Sequence, residues 1–238
     1  MGGENSPDKT VEGIGIFLKK NKNKDDFLLN VFGDQKKIEE KLKNLNISSP
    51  FIKIIHAEST VSDEETPLTA IKNSKNTSMW NCIQSQLNQE SDISLSAGNT
   101  GVLLVISRMI LKMMNEVSKP ALAGLWPNQD GVNVVLDLGA NIECSEKNLV
   151  DFSLMGSALH KSLFENEESK VALLNIGSEE LKGNEIIKET FQILNEKKSN
   201  NFNFSGYIEG NQLMDGNVNV IVSDGFTGNV ALKTAEGT

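Results

Sequence analysis

The stretch Val132-Asn133-Val134-Val135-Leu136-Asp137-Leu138-Gly139-Ala140-Asn141 decides the fold class of this chain. Its first part, Val132–Leu138, is almost continuously apolar, which is typical of a strand that is covered on both faces. A second run of this kind, Val171–Ile176, also ends at a glycine. Such strands occur in proteins whose parallel sheet carries helices on both sides. The sequence therefore predicts an α/β fold with a doubly wound, largely parallel sheet.

Short β-rich runs and helical patterns alternate along the rest of the chain, as they do in βαβ units. The predicted strands are Asp26–Phe32, Ile52–His56, Ile93–Ser96, Val132–Leu138, Val171–Ile176, Phe202–Ile208 and Val218–Ser223. The predicted helices are Pro7–Lys20, Gln35–Leu45, Thr66–Ile71, Thr77–Gln89, Gly101–Asn115, Leu149–Phe164, Asn184–Asn195 and Phe226–Glu236. Because no repeat or low-complexity linker divides the 238 residues, we expect one α/β domain over residues 1–238.

Both ends of the sequence fall inside incomplete structural units. Met1-Gly2-Gly3-Glu4 forms a turn motif with no strand before it, and Lys233–Thr238 ends within a helical pattern. An α/β unit normally closes its helix against the sheet. We therefore expect a first strand and C-terminal helices to be missing from this sequence.

Composition and charge exclude several function classes. The chain has 32 acidic and 23 basic residues and a net charge of −9, which argues against nucleic acid as the main partner. Cys82 and Cys144 lie far apart, which suits a reducing cytoplasm and excludes a zinc ribbon or a disulfide scaffold. With two histidines and no clustered acidic spacing, the sequence predicts no metal site.

Five loops rich in glycine and asparagine follow strands, the first of them following the expected missing strand. They are Gly2–Ser6, Ala97–Gly101, Gly139–Asn141, Gly177–Glu185 and Asp224–Asn229. In a parallel sheet such loops gather at the carboxyl ends of the strands, where open α/β sheets bind ligands. Glycines let backbone N–H groups approach an anion, and helix N-termini add partial positive charge. We expect these loops to form one composite site for a phosphate-bearing ligand.

The predicted ligand-binding residues come from these loops. They are Gly3, Gly98, Asn99, Gly101, Gly139, Asn141, Gly177, Gly183, Asn184, Asp224, Gly225, Gly228 and Lys233. Lys182 is the predicted cation, because its glycine-bounded loop follows a central strand. Asn229 is a further candidate donor. His56 ends a strand and is either a ligand-binding group or a hydrogen-bonded structural histidine. Asp137 and Asp224 are expected to cap turns.

These loops belong to a longer series of motifs that resembles a known family. In chain order the motifs are Gly2-Gly3-Glu4-Asn5-Ser6-Pro7, His56-Ala57-Glu58, Thr77-Ser78-Met79, Ser96-Ala97-Gly98-Asn99-Thr100-Gly101, Lys119-Pro120-Ala121-Leu122, Leu136-Asp137-Leu138-Gly139-Ala140-Asn141, Met155-Gly156-Ser157, Leu173-Leu174-Asn175-Ile176-Gly177, Lys182-Gly183-Asn184-Glu185, Gly206-Tyr207-Ile208-Glu209-Gly210 and Asp224-Gly225-Phe226-Thr227-Gly228-Asn229-Val230-Ala231-Leu232-Lys233. Their order resembles that of the bacterial phosphate acyltransferase family, PlsX. Lys119 stands where that family usually has arginine.

The resemblance implies an acyl-[acyl-carrier-protein]:phosphate acyltransferase, which makes acyl phosphate for the first acylation of glycerol 3-phosphate in phospholipid synthesis. It implies a fold similar to that of isopropylmalate dehydrogenases and phosphotransacetylases, a homodimer, and peripheral association of a cytoplasmic protein with the inner membrane. The implied partners are acyl carrier protein, inorganic phosphate and the downstream glycerol-3-phosphate acyltransferase system, with no cofactor. In that reaction Lys182, Asn229 and His56 are the predicted catalytic residues, His56 as proton donor to the departing thiolate.

Two other functions stay open at the level of the sequence. A nicotinamide-dependent dehydrogenase can share this fold, although Gly13-Ile14-Gly15 lacks the third glycine of a dinucleotide fingerprint. The second open function is a non-catalytic module that docks to a carrier protein or to a membrane. Its basic patch would be Lys19, Lys20, Lys22 and Lys24, or Lys36, Lys37, Lys41 and Lys43.

Overall fold

The computed structural model describes residues 2–3, 5–62, 64, 66–165, 167–196 and 199–237. The chain divides into two compact units, Met1–Lys112 and Met113–Thr238. Among the helices of the described residues, none has both the length and the apolar composition needed to cross a bilayer.

The first unit contains five helices and a two-stranded sheet within its described residues. Its elements are α1 (Asp8–Lys20), β1 (Leu29–Gly33), α2 (Gln35–Asn44), β2 (Ile52–His56), α3 (Pro67–Asn73), α4 (Ser78–Leu87) and α5 (Thr100–Leu111). Strands β1 and β2 are parallel, and Gly33 lies opposite His56 at their carboxyl ends. One cluster of buried side chains joins α1, β1 and α2, and another joins α4 to α5.

The second unit is built around a five-stranded sheet. Its elements are β3 (Gly124–Asn128), β4 (Gly131–Leu136), α6 (Glu146–Leu163), β5 (Lys170–Leu174), α7 (Glu185–Glu196), β6 (Asn203–Ile208), β7 (Val220–Val222) and α8 (Gly225–Glu236), with a short 3₁₀ turn at Gly210–Gln212. The strand order is β3-β4-β7-β5-β6, and only β3 runs antiparallel to its neighbour. Helices α6 and α7 pack on one face and α8 on the other.

This architecture confirms the predicted α/β class and the mostly parallel sheet. The prediction of a strand at Ile93–Ser96 is wrong, because those residues pair with no strand among the described residues. Ile93 and Leu95 are largely exposed, so their alternation with serine does not mark a buried face. Strand β3 was not predicted. Its Pro127 suggests a loop in sequence, but the strand lies at the edge of the sheet, where proline is tolerated.

The two apolar runs that indicated the sheet both end as strands two residues earlier than predicted. Strand β4 ends at Leu136 and β5 at Leu174. Asp137 and Asn175 are the residues that follow, and both direct their side chains into the next turn. The backbone N–H of each polar residue still bonds to the neighbouring strand segment, Asp137 to Ser223 and Asn175 to Ile208, while its side chain belongs to the candidate site.

Candidate functional site

The turn that follows β4 is organised by the carboxylate of Asp137, which is completely buried. Its Oδ1 accepts hydrogen bonds from the backbone N–H groups of Leu122, Gly139 and Ala140 at 3.0, 3.2 and 2.9 Å. Its Oδ2 accepts from the backbone N and the side-chain Nδ2 of Asn141 at 2.8 and 2.7 Å. Asp137 thus caps the turn as expected. Its carboxylate accepts hydrogen bonds from the N–H groups of residues 139–141, which the sequence analysis assigned to a ligand.

Asn141 ties this turn to the neighbouring loop. Besides its bond to Asp137, its Nδ2 donates to the carbonyl oxygen of Pro120 at 2.6 Å. Lys119 Nζ donates to the carbonyl oxygen of Glu143 at 2.7 Å, which fastens the same two segments. Both hydrogens of the Asn141 amide therefore have partners within the protein. The structure gives Asn141 and Gly139 a positioning role in this arrangement, whereas the sequence suggested donation to a ligand.

The first turn of α8 packs directly on the Asp137 turn. A Cβ atom at Gly228 would overlap the carbonyl oxygen of Asp137, so only glycine fits there without displacement of the backbone. Gly225 donates its N–H to the carbonyl oxygen of Asn141 at 2.8 Å. Gly139 has a φ of +131°, and a Cβ there would lie 2.9 Å from Nδ2 of Asn229. The predicted residues Gly139, Gly225 and Gly228 are therefore brought together by close backbone approach.

Two polar residues of α8 face different surroundings. Asn229 Nδ2 donates to the carbonyl oxygen of Leu138 at 3.2 Å, so Asn229 lies at the Asp137 turn. Lys233, one turn later, forms an exposed ion pair with Glu236 at 2.6 Å. Asp224 accepts from the backbone N of Thr227 at 2.8 Å, which is the expected N-cap. The carboxylate at this position offsets part of the positive field of the helix N-terminus.

The loop between β5 and α7 is held by a neutral side chain. Asn175 Nδ2 donates to the carbonyl oxygens of Gly177 and Lys182, each at 3.1 Å, and so closes the loop across its base. Gly183 has a φ of +95°, and a Cβ there would lie 2.5 Å from Asn175 Oδ1. The sequence analysis did not select Asn175, although it follows an apolar run just as Asp137 does.

The surroundings of Lys182 suit an anion. Lys182 is exposed, and its ammonium makes no ion pair with any residue that the structure describes. Two residues later, Asn184 Oδ1 accepts from the backbone N of Ile187 at 2.9 Å and caps α7 without adding charge. The acidic residue in the first turn, Glu185, forms an ion pair with Lys188 at 3.0 Å. The positive end of α7 and one cation therefore lie in the same loop.

Within the first unit, the loop after the N-terminus contacts the loop before α5. A Cβ at Gly3, whose φ is +103°, would overlap the carbonyl oxygen of Ala97, and a Cβ at Gly98 would lie 3.6 Å from Gly3 N. Asn99 Oδ1 caps α5 by accepting from the backbone N of Val102 at 3.0 Å, and Gly101 lies in the first turn of that helix. Of the predicted residues of this unit, Gly3, Gly98, Asn99 and Gly101 therefore come together at the N-terminus of α5.

His56 lies at the carboxyl end of β2 and accepts a hydrogen bond. Its Nδ1 receives the backbone N–H of Gln35, the first residue of α2, at 3.3 Å. This contact leaves Nε2 as the nitrogen that carries the proton in the neutral ring. The structure thus gives His56 a bond at the start of α2, while its proposed proton transfer stays a prediction.

Both cysteines and the second histidine have environments that disfavour reactivity. Burial raises the pKa of the Cys144 thiol, and burial likewise raises the pKa of Cys82. His160 is buried against Ser169, with Nδ1 2.9 Å from its Oγ, and burial lowers the pKa of His160. Because a thiolate is the nucleophilic form, Cys144 is poorly suited to carry an acyl group. Among the described residues no group of three or more His, Cys, Asp or Glu is placed to hold a metal ion.

The features that favoured the other two functions have structural explanations. Gly13-Ile14-Gly15 lies inside α1, and a Cβ at Gly15 would lie 2.7 Å from Ile47 Cδ1. A dinucleotide fingerprint belongs to a strand-to-helix turn, so these glycines do not form one. In the second basic cluster, Lys41 Nζ lies 3.0 Å from Asp8 and 3.5 Å from Glu12, where it joins α2 to α1. The hydrogen bond to Asp8 raises the pKa of Lys41.

Comparison with known proteins gives consistent results. In fold, the chain is similar to the EutD phosphotransacetylase of Staphylococcus aureus, with a TM-score of 0.66 at 17% identity over 95% of this chain and 78% of that one. It is also similar to a branched-chain phosphotransacylase of Enterococcus faecalis V583, with a TM-score of 0.55 at 14% identity over 88% and 84% of the two chains. These likenesses show a phosphotransacetylase-like fold.

Sequence comparison identifies the family. A family model described as "Fatty acid synthesis protein" matches residues 1–238. The phosphate acyltransferase of Pelagibacter ubique is 58% identical over all of this chain and 70% of its own length, and that of Maricaulis maris is 42% identical over all of this chain and 67% of its own. The chain thus spans about two thirds of the length of these relatives. It belongs to the PlsX family of phosphate acyltransferases, which are enzymes.

Proposed function

We propose that this enzyme transfers a fatty acyl group from the thioester of acyl carrier protein to inorganic phosphate and releases acyl phosphate. The observation that carries the proposal is the 58% identity, over the whole chain, with a relative named phosphate acyltransferase. The loops at the carboxyl edge of the second unit support it, since they combine a cation, a helix N-terminus and rigid close-packed glycines. Such sites hold anions and orient them.

The reaction balances without any further reactant. An oxygen of hydrogen phosphate attacks the thioester carbonyl carbon, a C–O bond forms, and the C–S bond breaks with its electron pair on sulfur. The proton of hydrogen phosphate ends on the departing sulfur, so the products are acyl phosphate and the carrier thiol. What the protein has to supply is orientation of the anion and stabilisation of the charge that develops on the carbonyl oxygen.

We assign phosphate binding to the loop between β5 and α7. Lys182 provides a point charge, Asn184 caps α7 with a neutral group while the nearby Glu185 is paired with Lys188, and Asn175 holds the loop closed. The turn after β4 is a poorer anion site, because the buried carboxylate of Asp137 already takes its N–H groups. Its proposed role is to fix α8 and Asn229, whose second amide hydrogen is assigned to the carbonyl oxygen of the thioester.

The remaining functional expectations are part of the same proposal. Ligand contacts of Gly3, Gly98, Asn99, Gly101 and Lys233 rest on their place in the glycine-rich loops and on α8, and proton donation by His56 rests on its place at the end of β2. A homodimer, a cytoplasmic location with peripheral membrane association, and delivery of acyl phosphate to a glycerol-3-phosphate acyltransferase system rest on the resemblance to the family.

The test is direct. Purified protein is incubated with a hexadecanoyl thioester of acyl carrier protein, with and without radiolabelled phosphate, and acyl phosphate is measured by its label while free thiol is counted in the same mixture. We expect the two products in equal amounts and only with phosphate. Thiol release that is independent of phosphate, or none with a correctly folded sample, would overturn the proposal.

A further inference from the structure

Large apolar side chains are exposed at the same sheet edge as the candidate phosphate loop. Within the second unit, Leu181, Ile176, Ile142 and Phe226 have exposed fractions of 86%, 81%, 73% and 63%. Among the other described residues of the second unit, only Met114, next to its boundary, reaches a similar value, 79%; in the first unit Leu95 and Ile93 reach 85% and 74%. All four follow β4, β5 or β7, at the carboxyl ends of neighbouring strands. We call these four residues the apolar rim.

The backbone contacts bring parts of the apolar rim close together. Gly225 and Asn141 are hydrogen-bonded, so the residues that follow them, Phe226 and Ile142, start from adjacent positions. Ile176 and Leu181 lie in the loop that Asn175 closes, and Leu181 directly precedes Lys182. Strand β7 lies between β4 and β5, so Phe226, which follows β7, lies between Ile142 on one side and the loop of Ile176 and Leu181 on the other.

The loops do not need these side chains for their own structure. Polar groups hold both segments, with Asp137 fixing the turn after β4 and Asn175 closing the loop after β5. Single exposed apolar residues are normal on protein surfaces. Four of the most exposed in one unit, grouped at the edge that carries the candidate site, indicate instead a surface that an apolar ligand covers.

We propose that the apolar rim binds the hydrocarbon chain of the acyl donor, an inference that rests on the proposed function. The reacting phosphate oxygen and carbonyl carbon must come within about 3–3.5 Å of each other. The hydrocarbon chain begins at that carbonyl carbon, so it leaves the polar loops beside Lys182 and Asn229. Leu181 directly precedes Lys182, and Phe226 lies about one turn of α8 before Asn229. Each methylene that these side chains shelter fully strengthens binding by up to about fourfold.

The experiment uses two acyl carrier protein thioesters, hexadecanoyl and butanoyl, and measures kcat/KM for each in the presence of phosphate. The test protein is the full chain with Leu181→Ser and Phe226→Gln. The control carries Leu163→Ser and Leu154→Gln, two exposed positions on α6. We expect the ratio of kcat/KM for the long donor to that for the short donor to fall about tenfold or more in the test protein and to stay unchanged in the control.

The other outcomes distinguish a failure of the rim proposal from a failure of the proposed function. An unchanged ratio in an active test protein, or an equal loss for both donors, would overturn the rim as the chain-binding surface and leave acyl transfer intact. No phosphate-dependent turnover of either donor by the wild-type protein would instead refute the proposed function itself. Should the double variant unfold, Ile176→Thr, a substitution of similar size in the same loop, gives the same comparison of ratios.

Discussion

Two segments at the carboxyl edge of one sheet, the turn after β4 and the loop after β5, are closed in the same way by different groups, a carboxylate that accepts hydrogen bonds and a neutral amide that donates them. Each follows a buried parallel strand and contains a glycine with positive φ, Gly139 at +131° and Gly183 at +95°. The turn after β4 closes around the buried carboxylate of Asp137, which receives five hydrogen bonds. The loop after β5 closes around the amide of Asn175, which donates two.

The difference between the closing carboxylate and the closing amide gives the two segments different roles, one structural and one in ligand binding. A buried carboxylate needs every nearby N–H group for its own stabilisation, so the turn it organises is rigid but offers few donors to an anion. A neutral amide that bonds to carbonyl oxygens leaves the N–H groups and the cation of its loop for a ligand. We therefore regard the Asp137 turn as the support for α8 and the Lys182 loop as the site of the phosphate. Four predictions test this division.

Substitution of Gly228 by alanine should have the largest effect. The added Cβ would overlap the carbonyl oxygen of Asp137, so α8 must move away from the turn, and we expect the free energy of unfolding to fall by more than about 3 kcal/mol. Urea denaturation measures it. The matched control is Gly13→Ala in α1, which meets nothing within 4 Å and should stabilise by about 0.5–1 kcal/mol. Equal stability of Gly228→Ala and wild type would contradict the close packing.

Replacement of Asp137 by asparagine should have the second largest effect on stability. The new NH₂ group would face N–H donors that now bond to the carboxylate, which we expect to cost about 3 kcal/mol of stability. Asp224→Asn is the control, because asparagine caps a helix as well as aspartate does and should change stability by less than about 0.5 kcal/mol. A similar small loss for both variants would show that the Asp137 turn is not held by its charge.

Lys182→Ala should affect turnover and not folding. Removal of one charge-assisted donor from phosphate should lower kcat/KM for phosphate about 100-fold, equivalent to about 2.7 kcal/mol, with an unchanged urea midpoint. The control is Lys170→Ala, at the first residue of β5, the end of that strand opposite to the Lys182 loop. If both variants keep the wild-type kcat/KM, Lys182 is a surface residue and the phosphate site lies elsewhere.

Asn175→Ala should have the smallest effect, because it removes two hydrogen bonds from a loop that is largely exposed. We expect a loss of about 1 kcal/mol in stability and a rise in KM for phosphate as the loop opens. Asn175→Asp is the sharper variant, since its carboxylate would face two carbonyl oxygens and add negative charge beside Lys182. An aspartate variant with a lower KM than the alanine variant would contradict the role of a neutral closing group.

The sequence determined most of the elements and their order, with β3 and the segment Ile93–Ser96 as exceptions, because those depend on local patterns. Apolar runs such as Val171–Ile176 mark buried strands, and capping residues such as Asp224 mark the start of a helix within a residue or two. The glycines at positions 139, 225 and 228 were expected to let the backbone approach a ligand, and in the structure they let it approach other protein segments. What they approach could not be read from the sequence, because the partners are up to 91 residues apart, as with Asn229 and Leu138.

The tertiary structure alone decided how the polar residues are used. From the sequence, Gly139 and Asn141 offered N–H groups to a phosphate and Asp137 was one capping residue among several. The fold buries the Asp137 carboxylate completely, and a buried charge takes the nearest donors before any ligand can. Exposure is decided in the same way, since Ile93 and Leu95 follow a strand pattern but find no neighbouring strand to pair with among the described residues. Sequence thus determines which groups are present near a strand end, and burial and hydrogen-bond competition determine which of them remain available to a substrate.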